Sequence, residues 1–154
     1  MDQQAELKQR NYHLLQEIGK NITAYEYGED IIIVDCGMSF PDEDMPGIDI
    51  VIPDFSYLVQ NADRIRGLIV THGHEDHIGS LPYIMKEINA PIFGTKLTLT
   101  LIDHKLREQK VNNVSLNCIK PGGLIRLGCF AIEFINVNHS IAGAVGLCIT
   151  TPVG

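Results

Sequence analysis

The sequence predicts an α/β or α+β layered domain, with a mixed β-sheet and flanking helices. Short apolar segments typical of strands outnumber the amphipathic helical segments, and the helices fall between strands. The chain has 154 residues, of which 45% are hydrophobic and 20% charged. This size and composition are those of a globular domain that can bury a core.

The sequence of the first part of the chain predicts a helix or a tail, followed by a hairpin. Residues 2–18 have apolar side chains roughly on one helical face and a plausible stop at Gly19, although the first ten residues are polar enough for a tail. Residues 22–27 and 31–34 predict two strands, and the Gly-Glu-Asp sequence between them predicts the turn of a hairpin.

The rest of the chain alternates between predicted helices and strands. Residues 38–53 predict a long, proline-containing acidic loop, and long structured loops are often functional. On the last predicted helix, the buried face should consist of Leu97, Leu101, Ile102 and Leu106. The predicted helices cover 57–65, 80–88 and 95–109, and the predicted strands cover 67–71, 91–94, 114–121, 124–127, 131–137 and 146–151.

Charge and cysteine content limit the function classes. The net charge of −7 argues against a basic nucleic-acid-binding surface on this chain, although bound divalent cations would reverse the sign locally. The sequence contains no apolar run long enough for a membrane span and no secretory signal, so we expect a cytoplasmic protein. The four cysteines lie in or beside apolar runs and are expected to be reduced core thiols: Cys36, Cys118, Cys129 and Cys148.

A cluster of metal-ligating side chains lies between a predicted apolar strand and a predicted helix. It comprises His72, His74, Asp76 and His77. Imidazole and carboxylate groups are good zinc ligands. In extended backbone, residues i and i+2 point the same way, so His72 and His74 can bind one metal ion, while Asp76 and His77 face a second. The alternatives are a polar surface loop, or a mononuclear site that uses only part of the cluster.

The His-x-His-x-Asp-His pattern after a buried strand resembles the signature of the metallo-β-lactamase superfamily. The resemblance implies that the first two histidines bind one zinc ion together with a later histidine, and that the aspartate and last histidine bind another. His139 matches the later histidine, since it follows a predicted strand about sixty residues on. Asp35 ends an early predicted strand, where the family has an aspartate that braces the metal loop; a turn-capping aspartate is the alternative.

Further stretches resemble bacterial ribonuclease J, and several of them are unnecessary for metal binding in general. The resemblance runs from about Glu17 to the last residue. The matching stretches are Glu-Ile-Gly-Lys-Asn at 17–21, Phe-Pro-Asp-Glu-Asp-Met-Pro-Gly-Ile-Asp at 40–49, Val-Ile-Pro-Asp-Phe-Ser-Tyr-Leu at 51–58, Gly-Ser-Leu-Pro-Tyr at 79–83, Lys-Pro-Gly at 120–122, Asn-His-Ser-Ile at 138–141 and Thr-Pro-Val-Gly at 151–154.

This resemblance implies a cytoplasmic enzyme that cleaves RNA internally and also digests it from the 5′ end. It implies two zinc ions that activate water for attack on a phosphodiester, with manganese as a possible substitute. The fold implied is the N-terminal half of an αββα sandwich, with 1–16 as a tail or helix and 17–154 as a partial metallo-β-lactamase domain.

The chain departs from the family pattern in length and at the N-terminus. The family's bridging aspartate should follow soon after Gly154. Another histidine ligand and the RNA-clamping domain would come from later sequence. We therefore expect this chain to bind one zinc ion and not two. The family's glycine-rich approach to residues 17–21 is missing here. His13 and His104 are expected at the surface. An uncovered half-sandwich should be marginally stable, or self-associate or pair with the missing sequence.

Three functions therefore compete. The first is part of a zinc-dependent ribonuclease that acts on RNA and is weak or inactive alone. The second is a small-molecule hydrolase of the same fold, against which residues 40–49 and the predicted helix at Tyr57 argue. The third is a non-catalytic truncated chain that binds a full-length partner.

Overall fold

The structure, a computed structural model, describes residues 7–11, 21–41 and 43–154. These residues form a helical layer, a mixed six-stranded β-sheet and a three-stranded antiparallel β-sheet. The predicted layered α/β fold with a mixed sheet is confirmed. Predictions for residues 2–6, 12–18 and His13 lie outside the described residues, as does Asp42 of the acidic loop.

The six-stranded sheet has its strands in chain order, from β1 to β6. The first three strands are antiparallel, and β3 to β6 run parallel. The predicted hairpin of β2 and β3 is confirmed. The strands are β1 (Lys8–Asn11), β2 (Thr23–Tyr27), β3 (Asp30–Val34), β4 (Ile65–Ile69), β5 (Ile92–Gly94) and β6 (Leu116–Cys118).

The three-stranded sheet and the helices cover opposite faces of the six-stranded sheet. The second sheet has the order β7-β8-β9. Its strands are β7 (Leu124–Leu127), β8 (Phe130–Asn136) and β9 (Val145–Thr150). The helices are α1 (Ser56–Gln60), α2 (Glu75–Ile78), α3 (Leu81–Ile84) and α4 (Lys96–Glu108), with one 3-10 turn at Ala62–Arg64.

Two apolar cores result from the alternation of side chains along β3 and β4. Ile33 and Leu68 point into the core beneath the helices, whereas Ile32 and Ile69 point into the core between the sheets. Because both faces of the parallel strands are buried, their sequences are continuous apolar runs. This arrangement brings the carboxyl ends of β3 and β4 to one edge of the sandwich, where loops can carry functional groups.

A partly buried polar contact links the two sheets. The carboxylate of Asp30 accepts a hydrogen bond from the Cys129 main-chain N–H at 2.7 Å and forms an ion pair with Arg66. Gly128 has φ of 57°, and a Cβ there would lie 2.2 Å from the Asp30 carboxylate. Only glycine fits both the backbone conformation and this close approach.

Several sequence-based boundaries were wrong. Lys8–Asn11 forms an antiparallel edge strand against β2, where a helix or tail was predicted. Residues 57–65 were predicted as one helix, but α1 ends at Gln60 and Ile65 already starts β4. Residues 72–79, between the predicted strand 67–71 and the predicted helix 80–88, contain α2, and the predicted helix 80–88 is confined to Leu81–Ile84. Tertiary pairing overrides local propensity in short segments of this kind.

The buried face of α4 differs from the prediction at two positions. Ile102 and Leu106 are buried as expected, but Leu97 and Leu101 are 42% and 37% exposed. They lie beside loops: Leu101 Cδ1 would be 2.5 Å from a Cβ on Gly73. These two leucines therefore border the histidine loops instead of filling the core.

The cysteine prediction was partly wrong. All four cysteines are free thiols and Cys36 is buried, but Cys118 and Cys148 are exposed and Cys129 is half-buried. The two exposed side chains lie in β6 and β9, where only alternate residues face a core. Burial raises the pKa of Cys36 far above its ordinary value, so this thiol stays protonated.

The outer face of the three-stranded sheet carries exposed apolar side chains, including Leu124, Ile135 and Val137. Self-association through such a surface remains a prediction. Among the described residues, no helix has the length and apolar character needed to cross a membrane.

Candidate metal centre

The candidate site lies where β4 ends and the chain turns into α2. The parallel strand delivers Thr71 and His72 to the carboxyl edge of the sheet. His74 has extended backbone, with φ of −75° and ψ of 153°, and directly precedes α2. Asp76 and His77 lie within α2, so the change from extended to helical backbone separates the histidine pair from the Asp-His pair.

The structure brings His72, His74 and His139 together. Their candidate ligand atoms all lie within 4.8 Å of one another. Ring centroids are 4.8 Å apart for His72 and His74, 4.4 Å for His72 and His139, and 5.0 Å for His74 and His139. Residues separated by more than sixty positions therefore converge on one point, as three ligands of a single metal ion must.

Asp35 lies beneath this loop and engages both Thr71 and His77. Its carboxylate accepts hydrogen bonds from the Thr71 main-chain N–H at 2.8 Å and from the Thr71 hydroxyl. His77 Nδ1 lies 2.8 Å from Asp35 Oδ2. Asp35 is buried and has φ of 60°, a left-handed conformation that aspartate tolerates better than most residues.

These bonds set the tautomers of two histidines. A carboxylate only accepts, so His77 Nδ1 donates to Asp35 and the neutral ring keeps its lone pair on Nε2. The Thr71 hydroxyl donates to Asp35 and can accept from His72 Nδ1, 3.0 Å away, which leaves the His72 lone pair on Nε2 as well.

His72 Nε2 is a buried nitrogen with no hydrogen-bond partner among the described residues. Burial, together with the nearby His77, lowers the pKa of His72 to about 4. The ring is therefore neutral at physiological pH, with its lone pair free. An unpartnered, buried imidazole lone pair facing two other imidazoles fits a zinc ion, since zinc favours nitrogen ligands.

Asp76 and His77 form an adjacent pair. Asp76 Oδ2 lies 3.4 Å from His77 Nε2, and the His77 ring centroid is 3.9 Å from that of His72. Burial alone would lower the pKa of His77, but hydrogen bonding and charge from Asp35, with a smaller contribution from Asp76, raise it. The pair offers one oxygen and one nitrogen beside the three-histidine cluster.

Main-chain bonds clamp the metal loop against the segment after β3. The N–H groups of Cys36 and Met38 donate to the carbonyls of His77 and Glu75, at 2.6 and 3.2 Å. A Cβ on Gly37 would lie 1.7 Å from the Asp76 carbonyl oxygen, so no other residue fits there without moving the loop.

His139 reaches the cluster from the end of β8 and is exposed. Its Nδ1 contacts the Ser140 hydroxyl and accepts from the Ser140 main-chain N–H, at 3.0 and 2.8 Å. Thr95 and Thr71 connect the following loop to the first sheet: the Thr95 hydroxyl donates to the Gly143 carbonyl at 2.8 Å, and the Val145 N–H donates to the Thr71 carbonyl at 3.0 Å.

The sequence-based reasoning missed the roles of Asn21, Thr71 and Thr95. Asn21 contacts both Asp76 and His77 through its side chain. The available signal was its place in the stretch 17–21, which metal binding in general does not require. His104 is exposed as predicted, with 75% of its side chain accessible.

The comparisons with known proteins agree with this geometry. The family model described as "Metallo-beta-lactamase superfamily" matches residues 16–136. The chain is 43% identical over 143 residues to ribonuclease J of Synechocystis sp., covering 91% of this chain and 22% of that protein. It is 45% identical over 141 residues to ribonuclease J 1 of Streptococcus pyogenes, covering 91% and 25%. The predicted resemblance to ribonuclease J is thus confirmed, and the chain spans about a quarter of those relatives.

Solved structures share the fold at low sequence identity. A diphosphatase from the PhnP family superposes with a TM-score of 0.61 at 17% identity, covering 85% of this chain and 49% of the other. Zn(2+)-bound PqqB from Methylobacterium extorquens superposes with a TM-score of 0.60 at 12% identity, covering 85% and 49%. The chain covers about half of each of these two solved structures.

Proposed function

Because the chain belongs to the metallo-beta-lactamase superfamily, we propose that it provides the metal-binding part of a zinc-dependent ribonuclease of the ribonuclease J type. The observation that carries the proposal is the convergence of His72, His74 and His139, with the His72 Nε2 lone pair unpartnered among the described residues. The similarity to ribonucleases J from several bacteria supports RNA as the substrate.

The residues divide into two ligand groups and one bracing residue. His72, His74 and His139 would bind one zinc ion, and Asp76 and His77 would contribute to a second. Asp35 would act through the histidines: it aligns His77 directly and His72 through Thr71. Carboxylates that orient metal-binding histidines in this way typically raise metal affinity by about 10- to 100-fold.

Bound zinc would supply a Lewis acid and would lower the pKa of coordinated water to about 7. The chain's own contribution is to keep neutral imidazoles aimed at one point. The low pKa of His72 ensures that no proton competes for its Nε2 at physiological pH. The buried Asp35 carboxylate prevents the His77 ring from rotating away, because rotation would break its bond to Nδ1.

The negative net charge of the chain is compatible with an RNA substrate. The net charge of −7 opposes general phosphate binding by this chain, but divalent cations bound at the cluster would reverse the local sign. We therefore propose that RNA affinity comes from additional sequence, and that the complete enzyme cleaves internally and from the 5′ end in the cytoplasm. Residues 17–154 would be the partial catalytic domain, paired with complementary sequence or with a second copy.

Zinc stoichiometry tests the metal centre directly. After exposure to zinc and desalting, we expect about one tightly bound ion per chain, since three histidines suffice for a stable site. His74→Ala should abolish this binding, whereas His104→Ala, an exposed histidine on α4, should not. Manganese competition against zinc then identifies the preferred metal. A chain that retains no metal would contradict the proposal.

An RNA assay tests the substrate. The chain can replace the matching quarter of Streptococcus pyogenes ribonuclease J 1, to which it is 45% identical. We expect this chimaera to hydrolyse RNA and the His74→Ala chimaera to lose activity at least about 100-fold. A folded, metal-loaded chimaera that hydrolyses thioesters or β-lactams but not RNA would replace ribonuclease with the small-molecule alternative.

A further inference from the structure

Asn21 contacts the Asp-His half of the metal centre through its side-chain amide. Its Nδ2 lies 3.1 Å from Asp76 Oδ2 and 3.0 Å from His77 Nε2. Because the carboxylate only accepts hydrogen bonds, the atom facing it must be the donor nitrogen, which fixes the orientation of the amide. Asn21 therefore presents a hydrogen-bond donor to the two atoms that would bind the second metal ion.

The lone pair on His77 Nε2 decides what this contact does. His77 Nδ1 donates to Asp35, so the neutral ring has only the single in-plane lone pair of Nε2 left. That lone pair accepts the hydrogen from Asn21. A metal ion needs the same lone pair, so the amide and the metal cannot use it at the same time.

In the other half of the cluster, the buried histidine has no such donor. His72 Nε2 has no hydrogen-bond partner among the described residues, although it is buried. The two halves therefore differ before any metal arrives: the three-histidine half has an open lone pair, whereas the Asp-His half has an occupied one.

We infer that the Asn21 amide is a placeholder for the second metal ion, which satisfies Asp76 and His77 in the metal-free state and is displaced when that ion binds. The inference rests on the proposed function, since it takes these residues as metal ligands. It assigns an order of loading: the His72, His74 and His139 site fills first, and the Asp76 and His77 site fills second, against competition from Asn21.

Asn21→Ala removes the amide with little other change. The main-chain N–H of Asn21 donates to the Asp76 carbonyl at 3.0 Å, and its carbonyl accepts from the Gly37 N–H at 3.0 Å. Both bonds survive in alanine. A matched control is Asn112→Ala, because Asn112 is an exposed asparagine whose amide contacts only the Lys110 carbonyl among the described residues, at 3.5 Å.

The test is a zinc titration of the metal-free chain, followed by nuclear magnetic resonance of the histidine ring nitrogens and the asparagine side-chain amides. The first phase should shift the rings of His72, His74 and His139 and leave the Asn21 amide unchanged. The second phase should shift His77 Nε2 and release the amide. In Asn21→Ala, the second dissociation constant should fall about five-fold, the usual net contribution of one hydrogen bond, with the first constant unchanged.

A second dissociation constant that is unchanged or higher in Asn21→Ala would overturn the inference. Asn21 would then not compete with the metal ion for the ligands. The same holds if both phases move the Asn21 amide together, or if the chain binds no zinc. The proposed function can fail separately. If zinc binds in two phases with the expected Asn21→Ala effect but the chimaera cleaves no RNA, the inference about Asn21 stands and the proposed ribonuclease activity is wrong.

Discussion

The two strand ends that provide the candidate ligands are fixed in different ways. The loop after β4 contains the buried His72, is braced by Asp35 and is held by main-chain hydrogen bonds to residues 36–38. The loop after β8 carries an exposed His139, whose ring contacts only its neighbour Ser140 by hydrogen bonding among the described residues. One side of the site is thus formed by the fold, and we expect the other side to be completed only when a metal ion binds.

The two strand ends therefore draw their stability from different sources. Four of the five candidate ligands depend on the packing of β3 against β4, so substitutions there should destabilise the metal-free chain. His139 depends on two hydrogen bonds that attach its loop to the first sheet, from Thr95 and to Thr71. Substitutions on that side should act mainly through the metal.

Gly37→Ala should have the largest effect on the metal-free chain. Its Cβ would lie 1.7 Å from the Asp76 carbonyl oxygen, so α2 must move away from β3. We expect a loss of about 3 kcal/mol or more in the free energy of unfolding, measured by urea denaturation, at the upper end of the usual range. Gly94→Ala is the control, because its nearest neighbour would be an ordinary 3.4 Å away. Equal stabilities for the two variants would contradict the close packing of Gly37 against α2.

Asp35→Asn should rank second. The amide is close in size but cannot accept from Thr71 and His77 as the carboxylate does, so buried donors lose their partners. We expect about 2 kcal/mol less stability and zinc affinity lowered by about 10- to 100-fold, because the histidine tautomers are no longer fixed. The substitution Asp63→Asn, at an exposed position, serves as the control. Calorimetry measures the stability of each variant and its affinity for zinc. Wild-type affinity in Asp35→Asn would leave Asp35 as a simple turn residue.

The braced loop was also the part that the sequence predicted best. Four ligand-type residues within six positions form a local pattern that needs no tertiary information, and the apolar run before them predicted β4 to within two residues. His139 required the family resemblance, because a single histidine after a strand has no local signal. Asn21 and Thr95 were not found, since a side-chain amide or hydroxyl acquires its role only through contacts far along the chain.

The helices show the same limit of sequence-based prediction. Leu97 and Leu101 fit the helical period of a buried face, yet both border the histidine loops and stay partly exposed. Periodicity identifies the apolar stripe of α4 but not how far the core extends beneath it. Similarly, Ile65 continues the helical pattern of α1, but pairing with Ile31 in β3 places it in β4.

Thr95→Val should have a smaller effect, of about 1 kcal/mol on the metal-free chain. The hydroxyl bond to the Gly143 carbonyl disappears, although α4 loses no side-chain cap, since Thr95 makes none. Zinc affinity should fall about five-fold as the His139 loop loses one attachment. Thr100→Val, an exposed position on the same helix, is the control. An unchanged zinc affinity would mean that the Val145 bond alone positions the loop.

His139→Ala should have the smallest effect on the metal-free chain, below about 0.5 kcal/mol, because the side chain is exposed. Its effect should appear only with zinc. Saturating metal, at about 100 times the dissociation constant, should raise the stability of the wild-type chain by about 2.7 kcal/mol, and this gain should be lost in the variant. Thermal unfolding without zinc measures the stability of the metal-free chain, and unfolding with zinc measures the gain from the metal. His104→Ala is the control. If His139→Ala kept the zinc-dependent stabilisation, the site would be formed by the β4 loop alone, and the contrast between the two strand ends would not extend to metal binding.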